Sequence, residues 1–367
     1  MSNNEEKSHV PSDQGRRNFV RGVALAAATT PAILMLPALG AAAMQQPASG
    51  CTDVSPPMKD VRGKVAFITG GSSGVGLGVA RAFAEAGMHV AIGYRTKEHL
   101  DDAMSYLEET RSRIHAIRVD VTDRPGMEQA AAETVRVFGK IHVLVNNAGV
   151  NLPIPFKKIT YNDWDWVMGV NLTGVFNGLH AFLPYIQAHA DGGQIITTSS
   201  LFGLISAANQ CAYSASKYAV VGLMEALRSE FIGSNVGVSV FCPGLVTSNV
   251  FESARNRPSS LSDTGFSPDQ ETKDRQQKMR HDPEYAMPAL EAGQLVLRGM
   301  RRNDLYILTH PEYERVLRDR SEALIASIPK DLRPTQTRLM AARSGFEQSV
   351  YTVERDRMLC GKSERNE

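Results

Sequence analysis

Thr69-Gly70-Gly71-Ser72-Ser73-Gly74-Val75-Gly76 lies between the apolar run Val65 to Thr69 and a stretch of helical spacing, Gly76 to Ala86. A glycine-rich turn between a strand and a helix brings backbone amides and a helix N-terminus against a pyrophosphate, and a Cβ at Gly70, Gly74 or Gly76 would block that approach. The spacing is GxxxGxG rather than GxGxxG, so the strand-turn-helix placement is what separates a nucleotide loop from a plain tight turn. Ser72, Ser73 and Val75 complete the expected contact set. Further short β-branched runs stand at His89 to Tyr94, Ile114 to Val119, Ile141 to Asn146, Gln194 to Thr198 and Val236 to Phe241. Amphipathic stretches separate them, among them Glu98 to Thr110 and Pro125 to Phe138. Thr160-Tyr161-Asn162-Asp163 reads as an N-cap opening a long helix through Trp164, Trp166 and Asn171. Alternating strands and helices predict an α/β fold, a Rossmann-type doubly wound parallel sheet with helices on both faces.

Tyr213-Ser214-Ala215-Ser216-Lys217 puts a phenol and an ammonium four residues apart on one helix face. Hydride transfer to a ketone needs a proton donor at the oxygen, and oxidation of the alcohol needs the same group as base. A free Tyr has a pKa of about 10, so lowering it by roughly three units takes about 4 kcal/mol, which Lys217 and a positively charged nicotinamide are expected to share. A Tyr and a Lys at this spacing are common on helices. Their place after a strand and a Ser/Gly loop sets this pair apart. At the end of the second strand stand Tyr94 and Arg95, where an acidic side chain would grip a ribose 2′-hydroxyl. Arg95 suits a 2′-phosphate instead, which predicts preference for NADP, with NAD as the other nucleotide. Cys211 has no His placed to activate it and reads as packing, as do Trp164 and Trp166.

These segments resemble the short-chain dehydrogenase/reductase family. Thr69, Gly70, Gly74 and Gly76 match its TGxxxGxG loop, Asp120-Val121 its adenine-side DV pair, and Asn146-Asn147-Ala148-Gly149 its NNAG segment. Tyr213 and Lys217 match YxxxK, and Cys242-Pro243-Gly244-Leu245-Val246 the PG turn near the nicotinamide. The resemblance runs from about Lys64 to Ile328 and implies an NAD(P)-dependent oxidoreductase interconverting a secondary alcohol and a ketone. It also implies that Ser200 orients the substrate oxygen, and that Asn171 bends its helix and holds a water linking Lys217 to solvent. Cofactor contacts are implied at Asp120, Val121, Asn147, Ala148, Gly149, Pro243, Gly244 and Val246. Leu305-Tyr306-Ile307-Leu308 followed by His310-Pro311-Glu312 further resembles the ending of a subgroup that includes Cα-dehydrogenases of lignin-derived aryl ethers.

The 367 residues, 43% hydrophobic, suit a single catalytic domain, expected over 61–328, with a C-terminal extension. Forty basic residues against thirty-nine acidic ones leave a net charge of +1, which argues against a nucleic-acid surface. Four cysteines without paired spacing argue against a disulfide scaffold or a metal site. Before the domain, Arg16-Arg17-Asn18-Phe19-Val20 precedes an apolar run from Val23 to Ala43, a layout that resembles a twin-arginine signal peptide. Residues 1–43 are therefore expected to engage the twin-arginine export machinery and be cleaved near Met44, leaving no stable membrane span. Pro31 and Pro37 oppose the alternative, an uncleaved anchor. Lipid on Cys51 is opposed by its distance from the apolar run. Residues 44–60 read as a linker. The expected location is periplasmic, with the protein exported folded and its nucleotide bound, or cytoplasmic if the signal is not used.

Beyond Ser248 a polar loop, Glu252 to Pro283, within a lid-like insertion over 251–285, carries Phe251, Phe266 and Met279 and suggests a hydrophobic or aromatic small-molecule substrate. A helix from Met287 to Met300, a strand at Leu305 to Leu308 and a helix to Ile328 follow, then a charged tail, 329–367, expected to be a partner arm or disordered. The resemblance implies a homo-tetramer or dimer built through the helices containing Asn171 and Tyr213. The competing classes are a redox sensor that binds nucleotide without turnover and a lyase or dehalogenase on the same scaffold.

Overall fold

Seven strands and their crossovers account for most of the chain, in a computed structural model that describes residues 57–261, 269–346 and 349–363, all within the compact unit Cys51–Glu367. The expected signal segment 1–43, Cys51 and Phe266 lie outside the described residues. The strands are β1 (Val65–Ile68), β2 (His89–Tyr94), β3 (Ile114–Arg118), β4 (Val143–Asn146), β5 (Gly193–Thr198), β6 (Val236–Cys242) and β7 (Tyr306–Leu308). They form one sheet in the order β3-β2-β1-β4-β5-β6-β7, and every pairing is parallel. β1, β4 and β6 are buried along their whole length, as strands covered on both faces must be.

The helices on the two faces are α1 (Gly74–Glu85), α2 (Lys97–Tyr106), α3 (Arg124–Phe138), α4 (Tyr161–Met168), α5 (Gly174–Gln187), α6 (Cys211–Glu230) and, after α7 (Gln270–His281) in the insertion that follows β6, α8 (Ala289–Arg302). On one face Phe67, Trp166, Phe182 and Met224 share a core cluster, with the Phe67 and Phe182 rings stacked at 4.3 Å. On the other, Ile68, Phe83, Phe241 and Met300 share a second. There α1 and α8 pack so closely that a Cβ at Gly78 would stand 1.9 Å from the Ala289 carbonyl oxygen. Met58 and Val61 join this second cluster, so the end of the expected linker is part of the core rather than a free spacer.

Thr160 does cap α4: Asp163 N donates to its hydroxyl and the Asp163 carboxylate accepts from Thr160 N, a reciprocal capping box. The expected polar loop 252–283 contains more structure than its composition suggested. A 3-10 turn, Val250–Asn256, opens it and α7 closes it. Arg257 anchors it, donating to the Asp163 carboxylate at 2.6 Å with its guanidinium over the Trp166 ring, a buried ion pair on α4.

The expected charged tail is likewise helical. After α9 (Glu314–Ala326) come α10 (Gln336–Phe346) and α11 (Val350–Ser363). From Ser321 to Ser344 every residue is exposed, including Leu324, Ile325, Ile328, Leu332 and Met340. By contrast, α11 is pinned to the domain. Glu354, buried, accepts from Leu305 N at 2.9 Å and from Arg357 at 2.6 Å, and Arg357 also donates to Asp304 at 2.9 Å. Arg228 of α6 lies 3.9 Å from Glu354, and Glu225 of α6 accepts from Tyr306 and Tyr351 hydroxyls. Removing one partner from such a cluster strands the remaining charges away from water. Glu354→Ala is expected to lower unfolding free energy by about 3 kcal/mol, read as a lower urea midpoint; an unchanged midpoint would show that α11 is not held by this cluster.

Candidate active site

At the β1–β4 boundary the sheet reverses its order, and a cleft of about 690 Å³ opens beyond the carboxyl ends of the strands. The Thr69 hydroxyl accepts from Asn147 N at 2.8 Å and Ala148 N at 3.0 Å, tying the loop after β1 to the loop after β4. Asn147 returns its amide to the Thr69 and Gly70 carbonyls. Gly70 and Gly74 have φ of +63° and +51°, left-handed values that favour glycine. A Cβ at Gly76 would lie 2.3 Å from the Gly70 carbonyl oxygen. Gly76 thus supports the loop from behind rather than lining the cleft. The first turn of α1 carries no side-chain cap and no acidic residue, so its free amides suit an anion. A dinucleotide pyrophosphate therefore fits this cradle.

Gly70, Ser72, Ser73, Gly74, Val75, Tyr94, Arg95, Asp120, Val121, Asn147, Ala148, Gly149, Pro243, Gly244 and Val246 all line the cleft. Arg95 is not free there. Its guanidinium stands 3.5 Å from the Asp120 carboxylate and donates to the Asn256 carbonyl at 2.9 Å. Thr96 and His99 border the cleft beside it.

At the other end Ser200, Tyr213 and Lys217 meet. The Ser200 hydroxyl oxygen accepts from Phe202 N at 3.1 Å, which leaves its proton to donate elsewhere. Lys217 is buried and donates to the Thr198 carbonyl at the end of β5, at 2.9 Å; its Nζ lies 5.6 Å from the centre of the Tyr213 ring. Burial pushes the Tyr213 phenol up to about 12, although the Ser200 hydroxyl beside it works in the opposite direction. Burial also pulls Lys217 down to about 8. The expected acidification of Tyr213 by Lys217 is therefore not a property of the protein alone. Burial is the largest influence on the phenol, and the Lys217 ammonium donates to the Thr198 carbonyl.

Asn171 does not line the cleft. It sits in a π-helical turn, Gly169–Thr173, between α4 and α5. Its amide accepts from Val150 N at 2.8 Å and donates to Val150 O at 2.9 Å and to the Ser216 hydroxyl at 3.0 Å. Ser216 in turn donates to the Tyr213 carbonyl at 2.7 Å. A Cβ at Gly149 would touch both Asn171 Oδ1 and Lys217 Nζ at 3.4 Å, so Asn171 backs the Lys217 end of the site. Cys211 is exposed and apart from the cleft, Trp166 is buried packing, and Trp164 is partly exposed.

Phe251 and Met279 line the cleft as expected, joined by residues that sequence reasoning missed: Asn151, Phe202, Gln210, Tyr285 and Tyr313. Gln210 is one helical turn before Tyr213, a spacing that points to it. Tyr313 arrives on the segment after β7, which only the fold carries back over the Pro243-Gly244 turn.

Residues 64–259 match the model of the short chain dehydrogenase family. The chain is 36% identical over 272 residues to the C alpha-dehydrogenase of Sphingobium sp. strain SYK-6, a match covering 74% of this chain and 88% of that protein. Among solved structures, a short chain dehydrogenase/reductase from Burkholderia phymatum in complex with NAD aligns with a TM-score of 0.68 and 31% identity, covering 75% of this chain and 99% of that one. The apo form of LigO from Sphingobium sp. strain SYK-6 aligns with a TM-score of 0.64 and 33% identity, covering 80% and 99%.

The position of the phenol makes a spectroscopic prediction. With its pKa raised to about 12, Tyr213 stays neutral through the whole range below that value in protein free of nucleotide. The tyrosinate absorbance difference between the wild type and Tyr213→Phe should then be absent at pH 10 and emerge only toward pH 12. A difference already developed near neutrality would mean that the protein acidifies this phenol unaided.

Proposed function

Since the chain belongs to the short-chain dehydrogenase/reductase family and is an oxidoreductase that interconverts secondary alcohols and ketones, we propose that Tyr213 is its proton-transfer residue, NADP its preferred nucleotide and a hydrophobic, aromatic compound its substrate. The observation that carries the reading is the convergence of Ser200, Tyr213 and Lys217 in one cleft with a glycine cradle at its far end. The nucleotide supplies the hydride, or takes it up on a positively charged ring; the rest falls to the protein. Ser200, whose hydroxyl stands beside that of Tyr213, would give its proton to the substrate oxygen. In reduction Tyr213 gives that oxygen its proton, and its neutral state below about 12 is the form required. In oxidation the same phenol must accept the proton, which needs a cation nearby to stabilise the phenolate. Lys217 positions the helix end through Thr198, and Asn171 fixes the Val150 backbone behind it.

Preference for NADP rests on Arg95, with Thr96 and His99 beside it and no acidic residue at the end of β2. The guanidinium would exchange the Asp120 carboxylate for a 2′-phosphate, which it can meet bidentately. An aromatic substrate is supported by Phe202, Phe251, Tyr285 and Tyr313 around the cleft, and by the likeness to a Cα-dehydrogenase. Assembly as a homo-tetramer or dimer is supported by Phe176, exposed on α5 in the helix pair that follows Asn171.

Steady-state assays over aryl ketones test the assignment. Tyr213→Phe should lose about 10²–10⁴-fold in kcat while keeping its nucleotide affinity, and Arg95→Asp should raise the KM for NADPH at least about tenfold and leave that for NADH little changed. Retained turnover in the first variant, or equal effects on both nucleotides in the second, would count against the respective role. Export with nucleotide bound is supported by the Arg16-Arg17 segment. The protein isolated from a periplasmic extract should release NADP or NAD on denaturation; recovery of nucleotide-free enzyme there would oppose this location for catalysis.

A further inference from the structure

We propose that Asn151 and Gln210 form a polar subsite for a hydroxyl group that the substrate carries next to its reacting carbon; the proposal deepens the redox reading above and rests on it. Asn151 is 4% exposed and Gln210 9%, and both line the cleft that holds Tyr213. Asn151 Oδ1 and Gln210 Oε1 are nonetheless buried acceptors with no donor among the described residues. A buried polar atom without a partner is costly enough that native proteins rarely keep one without reason. Asn171 and Asn177 show the contrast, because each spends its amide on neighbouring backbone.

Both backbones are held while both side-chain ends are left open. Asn151 follows Val150, whose N–H and C=O are bonded by Asn171, and its own N–H donates to the Ser253 hydroxyl at 3.0 Å. Gln210 is the N-cap residue of α6, delivered by Asn209 in a left-handed conformation with φ of 65°, and stands one turn before Tyr213. Such preorganised groups beside a reacting centre are suited to recognition. A carboxamide donates and accepts, and its terminal torsion is two-fold and broad, so either atom can turn to the cleft. The complementary ligand is neutral and also both donor and acceptor. A hydroxyl meets those terms; a bare hydrocarbon would leave two buried amides unpaired, the situation in which enzymes discriminate most strongly.

The test compares 2-hydroxyacetophenone with acetophenone, using kcat/KM with NADPH and with NADH. The wild type should favour the hydroxylated ketone by about tenfold or more. In the Asn151→Leu/Gln210→Met double variant the ratio should fall to within about threefold of unity. Because the ratio is taken within one enzyme preparation, it does not depend on how much of the variant folds. No discrimination by the wild type, or a full ratio in the double variant, overturns the subsite while leaving the redox reading intact. If neither ketone reacts with either nucleotide, the aryl-ketone reading fails and the subsite with it.

Discussion

Two neighbouring parallel strands, β1 and β4, send their chains off in opposite directions, and the space between the diverging loops is where this protein can hold a ligand. The strand order sets that divergence: β2 and β3 lie to one side of β1, and β5 to β7 to the other side of β4. The Thr69 hydroxyl keeps the gap in register by bonding two amides of the Asn147-Ala148 segment. Each further feature of the site is measured from this seam. The uncapped start of α1 faces it from one side, and Ser200 and the α6 residues Tyr213 and Lys217 close it from the other.

Placing a phenol and an ammonium in that seam carries an electrostatic cost. Burial disfavours the charged form of both, raising Tyr213 to about 12 and lowering Lys217 to about 8. Without nucleotide the Tyr213 phenol is thus neutral over the ordinary pH range. The Lys217 ammonium gives one of its three protons to the Thr198 carbonyl and stands 5.6 Å from the centre of the Tyr213 ring.

Support for α6 extends well outside the cleft. Asn171 and Ser216 hold its first turns, while Glu225 and Arg228 fasten its far end to β7 and to α11. The last described helix, α11, therefore braces the helix that carries Tyr213 and Lys217. Between them α9 and α10 and the segment joining them leave leucine, isoleucine and methionine side chains in solvent.

How much of this the residues alone could determine follows from range. Local chemistry settled the strands, the glycine turn, the capping box at Thr160 and the pairing of Tyr213 with Lys217 on one helix, because periodicity and short spacings act within a few residues. Tertiary structure alone decided what those residues face. It turned Lys217 toward Thr198, gave Arg95 to Asp120 and Asn256, brought Tyr313 across the chain to Gly244, and left Asn151 and Gln210 unpaired in the cleft. A charged stretch at 350–363 looks like a solvated tail until Leu305, Arg357 and Arg228 are found around Glu354. Side-chain partners and burial are set by segments between 19 and 161 residues apart, and no local pattern encodes them.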